Sequence, residues 1–174
     1  MTLKIKRLRA GAAIPQRATE GSAGMDLRAC LLEKGLTLAP MERALVPTGI
    51  AIELPGPEVV ALVYARSGLA LKQGLTMANG VGVIDSDYRG ELSVPVVNLS
   101  EIPVHIANGD RIAQLVLSPI IIPDNVEIME ELTETQRRAG GFGSNGVEEG
   151  GRRKLTKAVL RLFLRWAGVG LVPM

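Results

Sequence analysis

One cysteine, one histidine and few aromatic side chains (two Tyr, two Phe, one Trp) are spread over 174 residues. Each shortage closes off a class of protein. With Cys30 alone, no disulfide can form within the chain, and with His105 as the sole imidazole a Cys/His zinc site has too few ligands. A reducing cytoplasm is the expected setting. Aromatics at 3% cannot fill a core, so Val, Ile, Leu and Ala must, and any exposed Tyr or Phe becomes a candidate for ligand contact. A secretory apolar run is missing as well, since the opening LKIKRLR alternates charge with hydrophobe.

Acid and base are nearly balanced at a net +2, but unevenly placed. Residues 151–174 hold six basic residues (Arg152, Arg153, Lys154, Lys157, Arg161, Arg165) and no acid, which leaves 14 basic against 18 acidic, a net of −4, in residues 1–150. A mildly acidic main body argues against stable nucleic-acid binding, which needs a basic stripe on the fold itself.

What is present is globular: 47% hydrophobic and 22% charged residues, enough for one domain with a core. Runs rich in Val, Ile and Leu at 3–9, 43–54, 58–65, 91–99 and 111–122 predict strands, while Pro15, Pro40, Pro47, Pro55, Pro57, Pro95, Pro103, Pro119 and Pro123 exclude long helices. Pro95 inside ELSVPVV predicts a sheet edge or a bulge. SGLALKQ (67–73) suits one short helical turn. Many short strands between turns make an all-β sandwich, barrel or jelly roll over residues 1–132. Residues 133–150 are polar and Gly-rich and read as a flexible arm. In 151–174, Leu155, Val159, Leu162 and Trp166 recur at helical spacing beside a basic stripe, predicting an amphipathic helix. Arginines inside its apolar run argue against a transmembrane span, and a packed or frayed extension is preferred to membrane contact.

The densest chemistry lies in GVIDSDYRGEL (82–92). A calcium loop fails there: Asp85, Asp87 and Gly90 fit its first, third and sixth positions, but Arg89 and Val96 occupy later ligand positions. GGFGSNG spells G-x-G-x-x-G without the strand, helix or acid that a dinucleotide fold requires. Phe142 within it fits either stacking on a flat partner or a solvated linker. A hairpin with acids at its tip is the simplest reading of 82–92. ARSGLA (65–70) and the Arg137–Arg138 pair add two patches suited to phosphate oxygens, so a nucleotide bound without a Walker loop becomes the functional candidate.

SAGMDLRA (22–29), ARSGLA (65–70), NGVGVIDSDYRGEL (79–92), NGDRIAQLV (108–116) and RRAGGFGSN (137–145) resemble, in order, the five motifs of the trimeric deoxyuridine triphosphatases, the dUTPases. The resemblance covers roughly residues 3–146. It implies a β jelly roll in a homotrimer with active sites shared between chains, and Mg²⁺-dependent hydrolysis of dUTP to dUMP and pyrophosphate. Asp85 would be the base for the attacking water, and Tyr88 would sit against the deoxyribose. Asn79, Val83, Ile84 and Ser93 would bind the uracil edge. Arg66, Ser67, Gly68 and Gln114 would hold the phosphates, Arg137 would meet the γ-phosphate and Phe142 would stack on the base. Asp26 would lie near a Mg²⁺ held mainly by substrate phosphates, through water. Asp87 and Glu91 read as scaffold. Arg138 stands where the family commonly has glycine, Met25 replaces a frequent aromatic, and 151–174 falls outside the family pattern. The rival readings are a deoxycytidine triphosphate deaminase of the same fold and a non-catalytic nucleotide-binding regulator. Asn98-Leu99-Ser100 matches a glycosylation acceptor, an incidental match without a signal peptide.

Overall fold

The computed structural model describes residues 1–141, and the basic segment 151–174 lies outside them. The chain divides into two units, Met1–Asn125 and Val126–Met174. The first contains every strand and helix of the described residues, and it is all-β apart from one short helix. In the second, Gln136–Ala139 form a turn closed by Gly140 N–H donating to Arg137 C=O at 2.9 Å.

Five strands make the largest sheet, in the order β2 (Gln16–Arg17), β3 (Met25–Arg28), β12 (Arg111–Pro119), β7 (Val59–Ala65) and β9 (Val81–Ile84), all pairs antiparallel. A three-stranded sheet orders β5 (Arg43–Pro47), β10 (Ser93–Asn98) and β8 (Leu75–Met77). Two ribbons complete the set, β1 (Lys4–Arg7) with β6 (Ile50–Glu53) and β4 (Gly35–Leu38) with β11 (Val104–Ala107). Helix α1 covers Ser67–Gln73, the segment expected from sequence, and ends on Gly74 in the left-handed conformation at φ 67°. Alternate residues of the strands face a core of aliphatic side chains, with Leu27, Leu38, Val46, Ile50, Val94, Val96, Ile106 and Leu115 almost wholly enclosed. No aromatic ring is among the buried residues described, as the composition required.

The apolar run 43–54 divides into β5 and β6, which join different sheets. Between them Gly49 takes φ 73°, and a Cβ there would come within 2.7 Å of Ala12 Cβ and 2.8 Å of Cys30 Sγ. Only glycine satisfies both demands.

Two local expectations are corrected. Pro95 lies at neither a sheet edge nor a bulge: β10 is the middle strand of its sheet, with Pro95 opposite Leu45. The β8 ladder stops at Met77 opposite Val96, and the Pro95 carbonyl accepts the Ala78 N–H at 2.9 Å just past that stop. The missing proline donor thus falls where the β8 ladder ends. Nor do β9 and β10 pair as a hairpin. β9 is the edge of the five-stranded sheet and β10 the centre of the three-stranded one, so residues 85–92 turn a corner between sheets.

The glycosylation match is closed by burial. Asn98 is 0% exposed, and its amide donates to the Leu38 and Ile102 carbonyls at 3.1 and 2.8 Å. Its Oδ1 accepts Ser100 N–H and Oγ–H at 2.9 and 2.7 Å.

Candidate active site

The long strand β12 gathers three separated motifs. Gln114 stands opposite Asp26 on β3 and opposite Tyr64 on β7. Two residues after Tyr64 comes Arg66, the N-cap of α1, with Ser67 and Gly68 in the helix's exposed first turn. Asp26 lies between two guanidinium groups, Arg66 Nε at 3.0 Å and Arg111 Nη1 at 3.1 Å. Arg66 also donates to the Arg111 carbonyl at 3.3 Å, and the Gln114 amide donates to the Ala65 carbonyl at 3.0 Å. A Cβ on Gly24 would come within 2.8 Å of Gln114 Oε1, so a bare backbone lets Gln114 lie flat against β3. Two cations sharing one carboxylate leave the cluster a net positive charge, suited to an anionic chain.

At the corner between sheets, an open cavity of about 290 Å³ is lined by Val83, Ile84, Asp85, Tyr88 and Ser93 together with Leu45, Glu91 and Leu92. Four residues expected from sequence to contact a nucleoside, and the acid expected to act on water, thus share one hollow. Val83 and Leu45 are 62% and 66% exposed despite being apolar strand residues, so the slot offers hydrophobic walls to a planar ligand. Tyr88 packs on Gly90, where any side chain would collide with the ring, and its hydroxyl donates to the Glu91 carbonyl at 3.0 Å. Glu91 accepts from Arg9 Nη2 at 2.9 Å and from Gly49 N–H at 2.7 Å, the scaffold role expected of it. Arg89 donates to the Ser86 and Tyr88 carbonyls at 2.7 and 3.0 Å and closes the turn.

The structure does not gather every expected residue. Asn79, in the turn between β8 and β9, is not part of the cavity wall. Leu45 and Arg111 were missed from sequence. Leu45 carries no signal beyond a strand position, whereas Arg111 stands beside Gln114 in NGDRIAQ and a guanidinium there was a fair candidate. In the second unit, Arg137 Nε donates to the Gly140 carbonyl at 2.9 Å. Arg138 adopts φ 46°, the left-handed region in which a non-glycine residue costs about 1 kcal/mol. That conformation explains why glycine suits its place. Phe142 lies outside the described residues.

The two patches stand apart in a single chain. Ile84 is opposite Ala61 and Val81 opposite Tyr64, so Asp85 and Arg66 lie beyond opposite ends of the paired stretch. At about 3.4 Å per residue, the rise from Ala61 to Arg66 is about 17 Å.

Among the described residues no cluster of three or more His, Cys, Asp or Glu could hold a metal. Asp26, with its oxygens already engaged by Arg66 and Arg111, fits an outer partner of a hydrated cation better than a direct ligand.

Comparison with known proteins accords with this geometry. The dUTPase family matches residues 10–146. Deoxyuridine 5'-triphosphate nucleotidohydrolase of Desulfitobacterium hafniense (strain DSM 10664 / DCB-2) is 54% identical over 134 residues, 77% of this chain and 87% of its own. The same-named protein of Hydrogenobaculum sp. (strain Y04AAS1) is 50% identical over 151 residues, 85% of this chain and 100% of its own. Among solved structures, the Staphylococcus bacteriophage 80alpha dUTPase with dUpNHpp superposes with a TM-score of 0.75 at 30% identity, covering 84% of this chain and 99% of that one. A mutant dUTPase from phage phi11 of S. aureus, described with a structural Mg(II) ion, gives 0.68 at 26% identity, covering 77% and 100%. Residues of the first four motifs converge on two patches, and the likeness spans most of the chain's length. The chain belongs to the dUTPase family.

Proposed function

We propose that the protein hydrolyses dUTP to dUMP and pyrophosphate, keeping uracil out of DNA and supplying the precursor of dTMP. The single observation that carries this reading is the corner cavity, whose wall joins Asp85 and Tyr88 to the apolar edge of β9 and to Ser93. Uracil lies against that edge, where backbone donors and acceptors near Val83, Ile84 and Ser93 match its polar rim. A wrong base would leave such groups unpaired, which is a strong basis for discrimination. Asn79 is assigned to the same recognition. Tyr88 lies against the deoxyribose and leaves no room for a 2′-hydroxyl.

Asp85 orients a water and takes its proton as the oxygen attacks the α-phosphorus in line. The α–β bridging bond breaks and pyrophosphate leaves. Arg66, Ser67, Gly68 and Gln114 hold the phosphate chain, and the positive cluster around Asp26 offsets its charge. Asp26 would hold a hydrated Mg²⁺ through water beside the substrate phosphates, and such an ion would add to the neutralisation of the triphosphate. Arg137 meets the γ-phosphate and Phe142 closes over the base.

About 17 Å of strand rise separates Asp85 from Arg66 within one chain, a long span for one triphosphate, which favours their reaching a nucleotide from different copies. Supply of the two patches by different copies supports a homotrimer with shared sites. The organisation proposed is a β domain at 1–132, a motif-bearing arm at 133–150 and an accessory extension at 151–174. The cytoplasm is the proposed compartment, on the strength of the role in nucleotide supply. Among the described residues no helix is long and apolar enough to cross a membrane.

The test is product analysis after incubation with dUTP, dCTP, dTTP or UTP and Mg²⁺. Pyrophosphate from dUTP is expected, with the other three turned over far more slowly. Ammonia from dCTP would replace this reading with a deaminase, and no product from any of them would leave only a binding protein. Asp85→Asn should keep affinity for a non-hydrolysable dUTP analogue and lose at least about a hundredfold in kcat.

A further inference from the structure

Arg9 lies outside the five motifs, two residues past β1, yet it reaches Glu91 on the wall of the nucleoside slot. Its two terminal nitrogens diverge: Nη1 donates to the Cys30 carbonyl at 2.9 Å and Nη2 to the Glu91 carboxylate at 2.9 Å. The ion pair is largely shielded, with 34% and 22% side-chain exposure for Arg9 and Glu91. Glu91's other carboxylate oxygen accepts the Gly49 N–H at 2.7 Å. The next residue is laced to the same turn, for Leu92 C=O accepts Thr48 N–H at 3.1 Å and Leu92 N–H donates to Ile50 C=O at 2.8 Å. Glu91 is therefore gripped at its carboxylate and just beyond its backbone. From its carbonyl hangs the hydroxyl of Tyr88, whose ring rests on Gly90.

Tyr88 is 44% exposed, so packing alone does not fix its ring. The hydroxyl bond and the glycine seat do, and the bond is only as firm as the Glu91 backbone that receives it. Glu91 also lines the slot, so an unrestrained carboxylate there would stand beside the sugar and the nearby Asp85. The guanidinium of Arg9 and the Gly49 amide turn that charge aside and satisfy it. A charge-assisted pair of limited exposure, bonded to fixed backbone at both ends, holds position far better than an ordinary surface pair.

We propose that Arg9 and Glu91 are a positioning pair which, through the Tyr88 hydroxyl, sets how strictly the slot rejects a ribonucleotide. The proposal rests on the dUTP-hydrolysis reading, in which Tyr88 faces the deoxyribose. It makes the N-terminal segment part of sugar selection. A pair that only stabilised the fold would affect dUTP and UTP alike, whereas this one acts on the difference between them.

The test measures kcat/KM for dUTP and for UTP in Arg9→Met, Arg9→Lys, Glu91→Gln, Tyr88→Phe and the Arg9→Met/Tyr88→Phe double variant. The dUTP-over-UTP ratio should fall about tenfold in Arg9→Met, the lower end of what one pocket contact is worth. Arg9→Lys, which can still reach one partner, should stay within about threefold of the unaltered protein. Tyr88→Phe should lower the ratio similarly, and the double variant should be no worse than Tyr88→Phe alone, because both changes break one linkage. An unchanged ratio in Arg9→Met, or effects that multiply in the double variant, would overturn the proposal. If Arg9→Met does not fold, Glu91→Gln carries the same requirement, since it keeps volume while removing the charge. Failure of the unaltered protein to hydrolyse dUTP would instead refute the function on which the proposal rests.

Discussion

Gly90 shows how much of the slot depends on an atom that is missing. A methyl group there would strike the Tyr88 ring, so Gly90→Ala should displace the tyrosine and lower kcat/KM for dUTP at least about tenfold, with little change in strand content by circular dichroism. A second residue-scale prediction concerns pH. The Lys4 ammonium, 2.6 Å from Glu53, lowers the Glu53 pKa by its hydrogen bond first and its charge second. A carboxyl group with a depressed folded pKa stabilises the fold above its unfolded pKa and loses that contribution as pH falls through the folded value. NMR titration should therefore place Glu53 below the ordinary glutamate midpoint, and Lys4→Met should return it there. The pair is solvent-exposed, so the accompanying change in acid stability should be slight. Asp85 and Tyr88 were legible as residues because polar groups crowd a short apolar context. The partnership of Arg9 with Glu91 was not, since the two stand 82 positions apart and each is ordinary where it lies.

Elements were legible where they were long and apolar. β7, β10 and β12 follow their Val-, Ile- and Leu-rich runs, and α1 occupies the segment read as a helical turn. The short strands β2, β3, β4, β8 and β11, two to four residues each, fell outside those runs because isolated pairs of exposed and buried residues make no periodic signal. The hairpin reading of 82–92 failed for a different reason. Turn residues report that the chain bends, not which strand it meets afterwards, and pairing of β9 with β7 is a non-local choice. Asn98 ties the end of β10 to Leu38 of β4 and to the loop at Ser100 and Ile102, joining elements of separate sheets. Asn98→Ala should leave several buried groups unpaired and cost about 3 kcal/mol, measurable by urea unfolding at fixed protein concentration.

At the scale of the molecule, the separation of Asp85 from Arg66 makes a stringent prediction for the proposed shared site. Asp85→Asn and Arg66→Gln chains, each inactive alone, should regain activity when unfolded together and refolded as a mixture. Random assembly places an intact Asp85 opposite an intact Arg66 in about a quarter of the sites, so about a quarter of the original activity should return. No recovery would mean that one chain supplies both groups. Removing 151–174 should leave dUTP hydrolysis intact, as measured by pyrophosphate release, because the family match ends at residue 146. The family resemblance and the aliphatic core could both be read from sequence. The resemblance implied a site shared between chains, but the distance along the strands between Asp85 and Arg66 follows from register and could not be read from sequence.

The scarcity of rings has a use beyond packing. Trp166 is the sole tryptophan, so a chain ending at 150 would have only Tyr64 and Tyr88 as tyrosine emitters. One of those two phenols donates its proton to a carbonyl at the mouth of the slot. Light emitted by the shortened protein would then carry a report from the sugar's proposed position, and nucleotide arrival could be followed without adding any dye.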